Sequence, residues 1–83
     1  MDYQLVCQRL GNEIRQLRLN RGLTQLELAT LSGVTRQKLI EIEQGRGSVA
    51  LSAYARVIAA LDGEFGITPV RLPTLDEIGA IFQ

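Results

Sequence analysis

Thr35, Arg36, Gln37 and Lys38 stand side by side at the front of a short helical pattern, TRQKLIEIEQG, whose back carries Leu39 and Ile42. The chemistry open to these four side chains is recognition: a hydroxyl, a fork of guanidinium donors, an amide that both gives and accepts, and an ammonium charge. Reactive chemistry has much less to work with. The chain has no histidine and one cysteine, Cys7. A single thiol forms no disulfide within the chain, and with no histidine to activate it Cys7 reads as a packing residue rather than a nucleophile. The acidic residues are scattered, no metal-ligand cluster exists, and Gly45 and Gly47 do not make a phosphate loop. Neither an enzyme, a cofactor nor a metal is expected.

The elements that position the polar run follow from periodicity. Leu5, Val6, Leu10, Ile14 and Leu17 recur at three- and four-residue steps, which predicts a helix over 4–20 that stops at Gly22. Thr24 and Glu27 form a capping box for a second helix over 25–31, with Leu28 inward and Ala29 small. Gly33 breaks it and is expected to be left-handed. Thr35 opens the third helix, 35–44. A fourth covers 51–61, with Leu51, Tyr54, Val57, Ile58 and Leu61 on one face and Ala50 as a poor cap. DGEFGITPVRLP, at 62–73, reads as a short extended or β segment, and TLDE at 74–77 opens a last short helix to about Phe82.

A chain of 83 residues predicts one core, and a thin one: a chain this short buries roughly 60–65% of its unfolded surface, so further burial by dimerisation is reasonable. No apolar run approaches the roughly 18 residues that span a membrane, and no secretory signal is visible. A reducing cytoplasm fits best. Formal net charge is zero, yet residues 1–22 carry Arg9, Arg15, Arg18 and Arg21 against Asp2 and Glu13, whereas 50–83 carry Arg56 and Arg71 against Asp62, Glu64, Asp76 and Glu77. Binding to a polyanion depends on the local face, not on this total.

Ala29 lets a neighbouring helix approach, Gly33 turns the chain four residues later, and Leu39 and Ile42 hold the third helix to the core. Two helices so joined make a helix-turn-helix, and the projecting front of the second fits the major groove of DNA. At this point IRQLRLNRGLTQLELATLSGVTRQKLIEIEQGR, at 14–46, resembles the Cro/cI-type helix-turn-helix family, also called the XRE family. The elements R…GLTQ…LA, GVT and IEQG agree at fixed spacing, and the helix over 51–61 falls in its place.

The resemblance implies an all-α fold, a lambda-repressor-like helix-turn-helix bundle of four to five helices; the short C-terminal β segment read from 62–73, able to pair across a dimer, is one that the family usually lacks. The resemblance also implies that Gln25 bonds a phosphate, and that Thr35, Arg36, Gln37 and Glu41 face the groove. Arg36 would give two bonds to guanine and Gln37 two to adenine. Thr35 would touch a thymine methyl or a phosphate, or serve only as a cap. Lys38 would reach a phosphate or a flanking base, and Gln44 and Arg46 would grip the backbone. Arg18 and Glu43 match a structural ion pair of the family. Arg15 and Arg21 read as solvated.

The sequence departs from the family pattern in several places. Glu41 would repel a phosphate but accept a bond from cytosine. Leu26, Leu31 and Ile40 replace small or polar residues; they belong either to a protein contact surface or under the first helix or the tail. A β piece after a helical domain needs a partner strand. A two-fold mate would supply one, a layout that resembles the HipB-like antitoxins. Phe65, Ile67, Val70, Ile78, Ile81 and Phe82 are the candidate dimer or partner contacts.

The reading is therefore a DNA-binding domain, 1–61, and a dimerisation or partner-binding tail, 62–83. The expected function is a sequence-specific transcriptional regulator, a homodimeric repressor on a palindromic operator in double-stranded DNA. The alternative is an antitoxin that neutralises a toxin protein and represses its own operon.

Overall fold

Asp2 opens the first helix, α1 (Tyr3–Asn20), by accepting the Gln4 backbone N–H at 3.2 Å. In the computed structural model, which describes residues 2–46, 48–67 and 69, three more helices follow: α2 (Gln25–Ser32), α3 (Arg36–Glu43) and α4 (Leu51–Ala60). The caps explain the boundaries. Thr24 and Glu27 form the full capping box, with the Glu27 N–H donating to the Thr24 hydroxyl at 3.1 Å and the Thr24 N–H donating to Glu27 Oε1 at 3.0 Å. Those bonds, the backbone one first, hold the Glu27 carboxyl below the usual carboxylate range. Thr35 caps α3 by accepting the Lys38 N–H at 3.1 Å. Ala50 makes no side-chain cap for α4.

All four helices end in one way. The residue after the last turn is left-handed (Gly22, Gly33, Gly45 and Asp62), and its own N–H and the next one bond back to the closing carbonyls. At α3 these bonds are Gly45 N–H to Ile42 O and Arg46 N–H to Glu41 O, each at 3.0 Å. Asp62 is the one non-glycine in this role, a residue type that tolerates the conformation better than most.

The core lies where the four helices converge. It takes Ile14 from α1, Leu28 and Ala29 from α2, Leu39 and Ile42 from α3, and Tyr54, Val57 and Ile58 from α4, closed by Val49 and Leu61. α4 packs on α2, and α1 on α3. Helix α3 is thereby braced on its inner face while its first turn stays in solvent.

The apolar periods of the sequence run wider than the core. Leu51, expected on the inner face of the fourth helix, is 70% exposed, because it stands in the first turn before α4 reaches its neighbours. Leu5, Val6 and Leu17 are also exposed, although they share the period of Ile14. Leu26 and Leu31 are uncovered by α1 or by any other described residue, and Ile40 is half-buried. No strand forms among the described residues: 63–67 carries no ladder, and Phe65 and Ile67 are exposed. Within one chain the segment has no described strand to pair with. Val70, Ile78, Ile81, Phe82 and the helix expected from 74 lie outside the described residues.

Candidate nucleic-acid interface

The turn between α2 and α3 is built by Gly33, at φ 72°, a conformation that a Cβ would strain. Ser32 fills the inside of the turn, its hydroxyl donating to the Leu28 carbonyl at 2.7 Å. The turn delivers Thr35 to the head of α3. Arg36, Gln37 and Lys38 then form its first turn, all exposed, while Leu39 is fully buried behind them. Glu41 lies four residues after Gln37, so the two share a face, and it is half-buried. Gln44 closes the helix and Arg46 follows in the loop, both exposed. Apart from Gln25, which opens α2, the side chains expected to meet DNA thus fall along one helix and its exit.

The helix is held in place by a buried polar cluster. Arg18 Nε donates to Glu43 Oε2 at 2.7 Å and its Nη2 to Glu43 Oε1 at 3.1 Å, a two-point bond between α1 and the last residue of α3. Arg18 Nη1 also donates to the Leu23 carbonyl at 2.9 Å. Gln25 Nε2 donates to Glu43 Oε1 at 3.2 Å. The side chains of Arg18 and Glu43 are only 8% and 3% exposed, and each of their polar ends is satisfied. The ion pair expected from the resemblance is present. Gln25, expected to meet a phosphate, is also tied through its amide to this pair, so the start of α2 and the end of α3 share one anchor.

Parts of the α3–α4 connection are held as well. Gly45 is left-handed at φ 77°, and a Cβ there would lie 2.6 Å from Gln8 Cα. The Tyr54 hydroxyl donates to the Arg46 carbonyl at 3.1 Å, and burial holds that phenol's pKa above its ordinary value. This leaves the Arg46 side chain in solvent on an ordered backbone. Beside it, Gln4 and Gln8 of α1 line a polar hollow with Gln44, Arg46 and Ser48.

Two residues that the sequence reading passed over belong to this architecture. Gly11 lets α1 cross close over α3: a Cβ there would lie 2.5 Å from the Ile42 carbonyl oxygen and 2.8 Å from that of Glu43. Arg56 of α4 lies in a hollow beside the head of α3, with Thr35, Lys38 and Ser52. Neither has a local signal: Gly11 sits in mid-helix, and Arg56 is one charge on a helix whose neighbours are apolar.

Comparison with known proteins agrees with this geometry. A family profile described as a helix-turn-helix domain matches residues 9–64. A relative from Methanothermobacter thermautotrophicus, described as an uncharacterized HTH-type transcriptional regulator, is 49% identical over 51 residues, 61% of this chain and 74% of its own. A solved chain described as MDT Protein superposes with a TM-score of 0.69 over 77% of this chain and 90% of its own, at 20% identity, which is a likeness of fold. The matched span contains the turn at Gly33, all of α3 and every residue of the buried cluster. The chain belongs to the Cro/cI-type, or XRE, helix-turn-helix family of DNA-binding domains.

Proposed function

We propose that the chain is a transcriptional regulator that binds double-stranded DNA as a homodimer and represses by occupying its operator. The observation that carries the reading is the exposed first turn of α3, Thr35 to Lys38, projecting from a helix whose opposite side is locked by Leu39, Ile42 and the Arg18–Glu43 pair. A groove-reading helix needs mobile side chains in front and a rigid mount behind. Arg36 and Gln37 carry donor patterns that suit guanine and adenine, and Glu41 suits an amino group such as that of cytosine. Thr35 contacts a thymine methyl or phosphate while capping the helix. Lys38, Gln25, Gln44 and Arg46 serve the phosphates, which position the protein without reading sequence. Arg36→Ala is expected to weaken binding to the preferred site by about 1–3 kcal/mol, measured by fluorescence anisotropy on a labelled duplex.

The two-unit reading, 1–61 for DNA and 62–83 for association, rests on the exposed Phe65 and Ile67 and on the apolar residues that follow in the sequence. A second copy would give the 62–67 segment a strand partner and set two α3 helices about 34 Å apart, one turn of DNA. Sedimentation of the full chain should show a dimer, and a monomer once 62–83 is removed. The antitoxin reading is supported by the same exposed apolar residues together with Leu26 and Leu31. Co-expression with the flanking genes separates the two. A stoichiometric neighbour that is lost with 62–83 favours the antitoxin; a homodimer that elutes alone and shifts its own promoter favours the stand-alone repressor.

A further inference from the structure

Two hollows flank the first turn of α3, and Arg56 in the second has no role assigned so far. On the α2 side, Thr24, Gln25 and Arg36 line the first, beside the buried cluster. On the α4 side, Gly33, Thr35, Lys38, Ser52 and Arg56 line the second. The major groove is about 12 Å wide, and an α-helix with its side chains is about 10–12 Å across. A helix seated there brings both of its flanks up against phosphate walls, one from each strand. The second hollow has what such a wall requires: two cations, two hydroxyls and no carboxylate among its described lining residues.

Arg56 is exposed and forms no salt bridge or hydrogen bond among the described residues. Its Nη1 lies 4.0 Å from where a Cβ on Gly33 would sit, so the guanidinium rests against the turn itself, forward on the α4 surface. A neighbouring acid would neutralise it; here its described neighbours in the hollow are Lys38 and neutral groups. Lys38 and Arg56 line one hollow, so a phosphate seated there would meet two positive charges.

We propose that Arg56, with Lys38, is a phosphate clamp on the α4 flank of the recognition helix, gripping the strand opposite the one met by Gln25. This rests on α3 being the groove-reading helix. It makes Arg56 a contributor to affinity and salt dependence, not to base choice.

The test uses the full chain and a labelled duplex that the wild type has selected from a random pool. Anisotropy is recorded from about 50 to about 200 mM KCl for wild type, Arg56→Gln and Arg56→Lys. The expected result is that Arg56→Gln reduces the slope of log K against log[KCl] by about 0.9 per protomer, Arg56→Lys restores it, and the ranking of altered duplexes is unchanged. A wild-type slope in Arg56→Gln, or a changed ranking of bases, overturns the proposal. Partial unfolding would lower the active fraction and leave the slope alone. Arg36→Ala run in parallel separates the levels. If it relaxes one base position while Arg56→Gln does nothing, the clamp is wrong and the reading helix stands. If neither variant alters binding, the assignment of α3 fails as well.

Discussion

Glu43→Ala is expected to lower the unfolding free energy by about 3–5 kcal/mol, read from urea denaturation followed by circular dichroism. Glu43 accepts bonds from Arg18 Nε, Arg18 Nη2 and Gln25 Nε2, at 2.7, 3.1 and 3.2 Å. Removing the carboxylate leaves a guanidinium that is almost wholly out of water with one remaining partner, the Leu23 carbonyl. Most of the loss is the penalty of that stranded charge, not the intrinsic worth of the pair. Replacing both partners with apolar residues, Arg18→Met with Glu43→Leu, should therefore recover much of the stability. A double variant as unstable as the sum of the single ones would contradict this. The double variant also detaches Gln25, so its DNA affinity is expected to stay below wild type even where its stability returns.

Gly45→Ala is expected to cost about 2–5 kcal/mol in the same assay, the sum of two terms of the same sign. A left-handed alanine at φ 77° carries roughly 1–2 kcal/mol of backbone strain. The new methyl would also meet backbone, Gln8 Cα at 2.6 Å and Gln8 N at 2.8 Å, which no side-chain rotation relieves. Overpacking of this kind typically adds about 1–3 kcal/mol. Gly22→Ala is the control: it has a similar φ of 69° but nothing within 4 Å of its Cβ position. The difference between the two variants measures the contact of α1 with the α3–α4 loop. Equal losses would mean that contact does not constrain the loop.

The local chemistry of this fold was legible in the sequence wherever a short stretch sets its own conformation. The Thr24–Glu27 box, the left-handed Gly33 and the Thr35 cap each involve residues at most three apart, and each is present. The Arg18–Glu43 pair spans 25 positions and was accessible only through the resemblance to a family. What escaped depends on how helices meet. Gly11 has no signature of its own; its role exists only because α1 crosses α3 at Ile42 and Glu43. Leu5, Val6, Leu17 and Leu51 follow the apolar period faithfully and are still exposed, since periodicity identifies a face but not what covers it. Arg56 was counted with the acidic half of the chain, and only the packing of α4 beside the turn brings it to the head of α3.

The exposed leucines bear on partners. Leu26 at 62% and Leu31 at 64% exposure lie on α2, Leu26 beside the hollow that it lines with Arg36. Both are mostly exposed among the described residues, so their replacement by glutamine should leave the urea midpoint close to wild type. Any loss of a copurifying protein in that variant would then report on association alone.

In the proposed function α3 reads base edges, with Arg36 on guanine. The direct measurement is site selection: the wild-type chain and Arg36→Ala are each used to recover binding sites from the same random DNA pool, and the recovered sequences are compared position by position. The expected result is that the variant loses its preference at one base pair, a guanine in the wild-type site, together with its symmetry mate if the site is palindromic, and keeps the rest. Identical preferences at every position would contradict it and place base recognition elsewhere on the molecule.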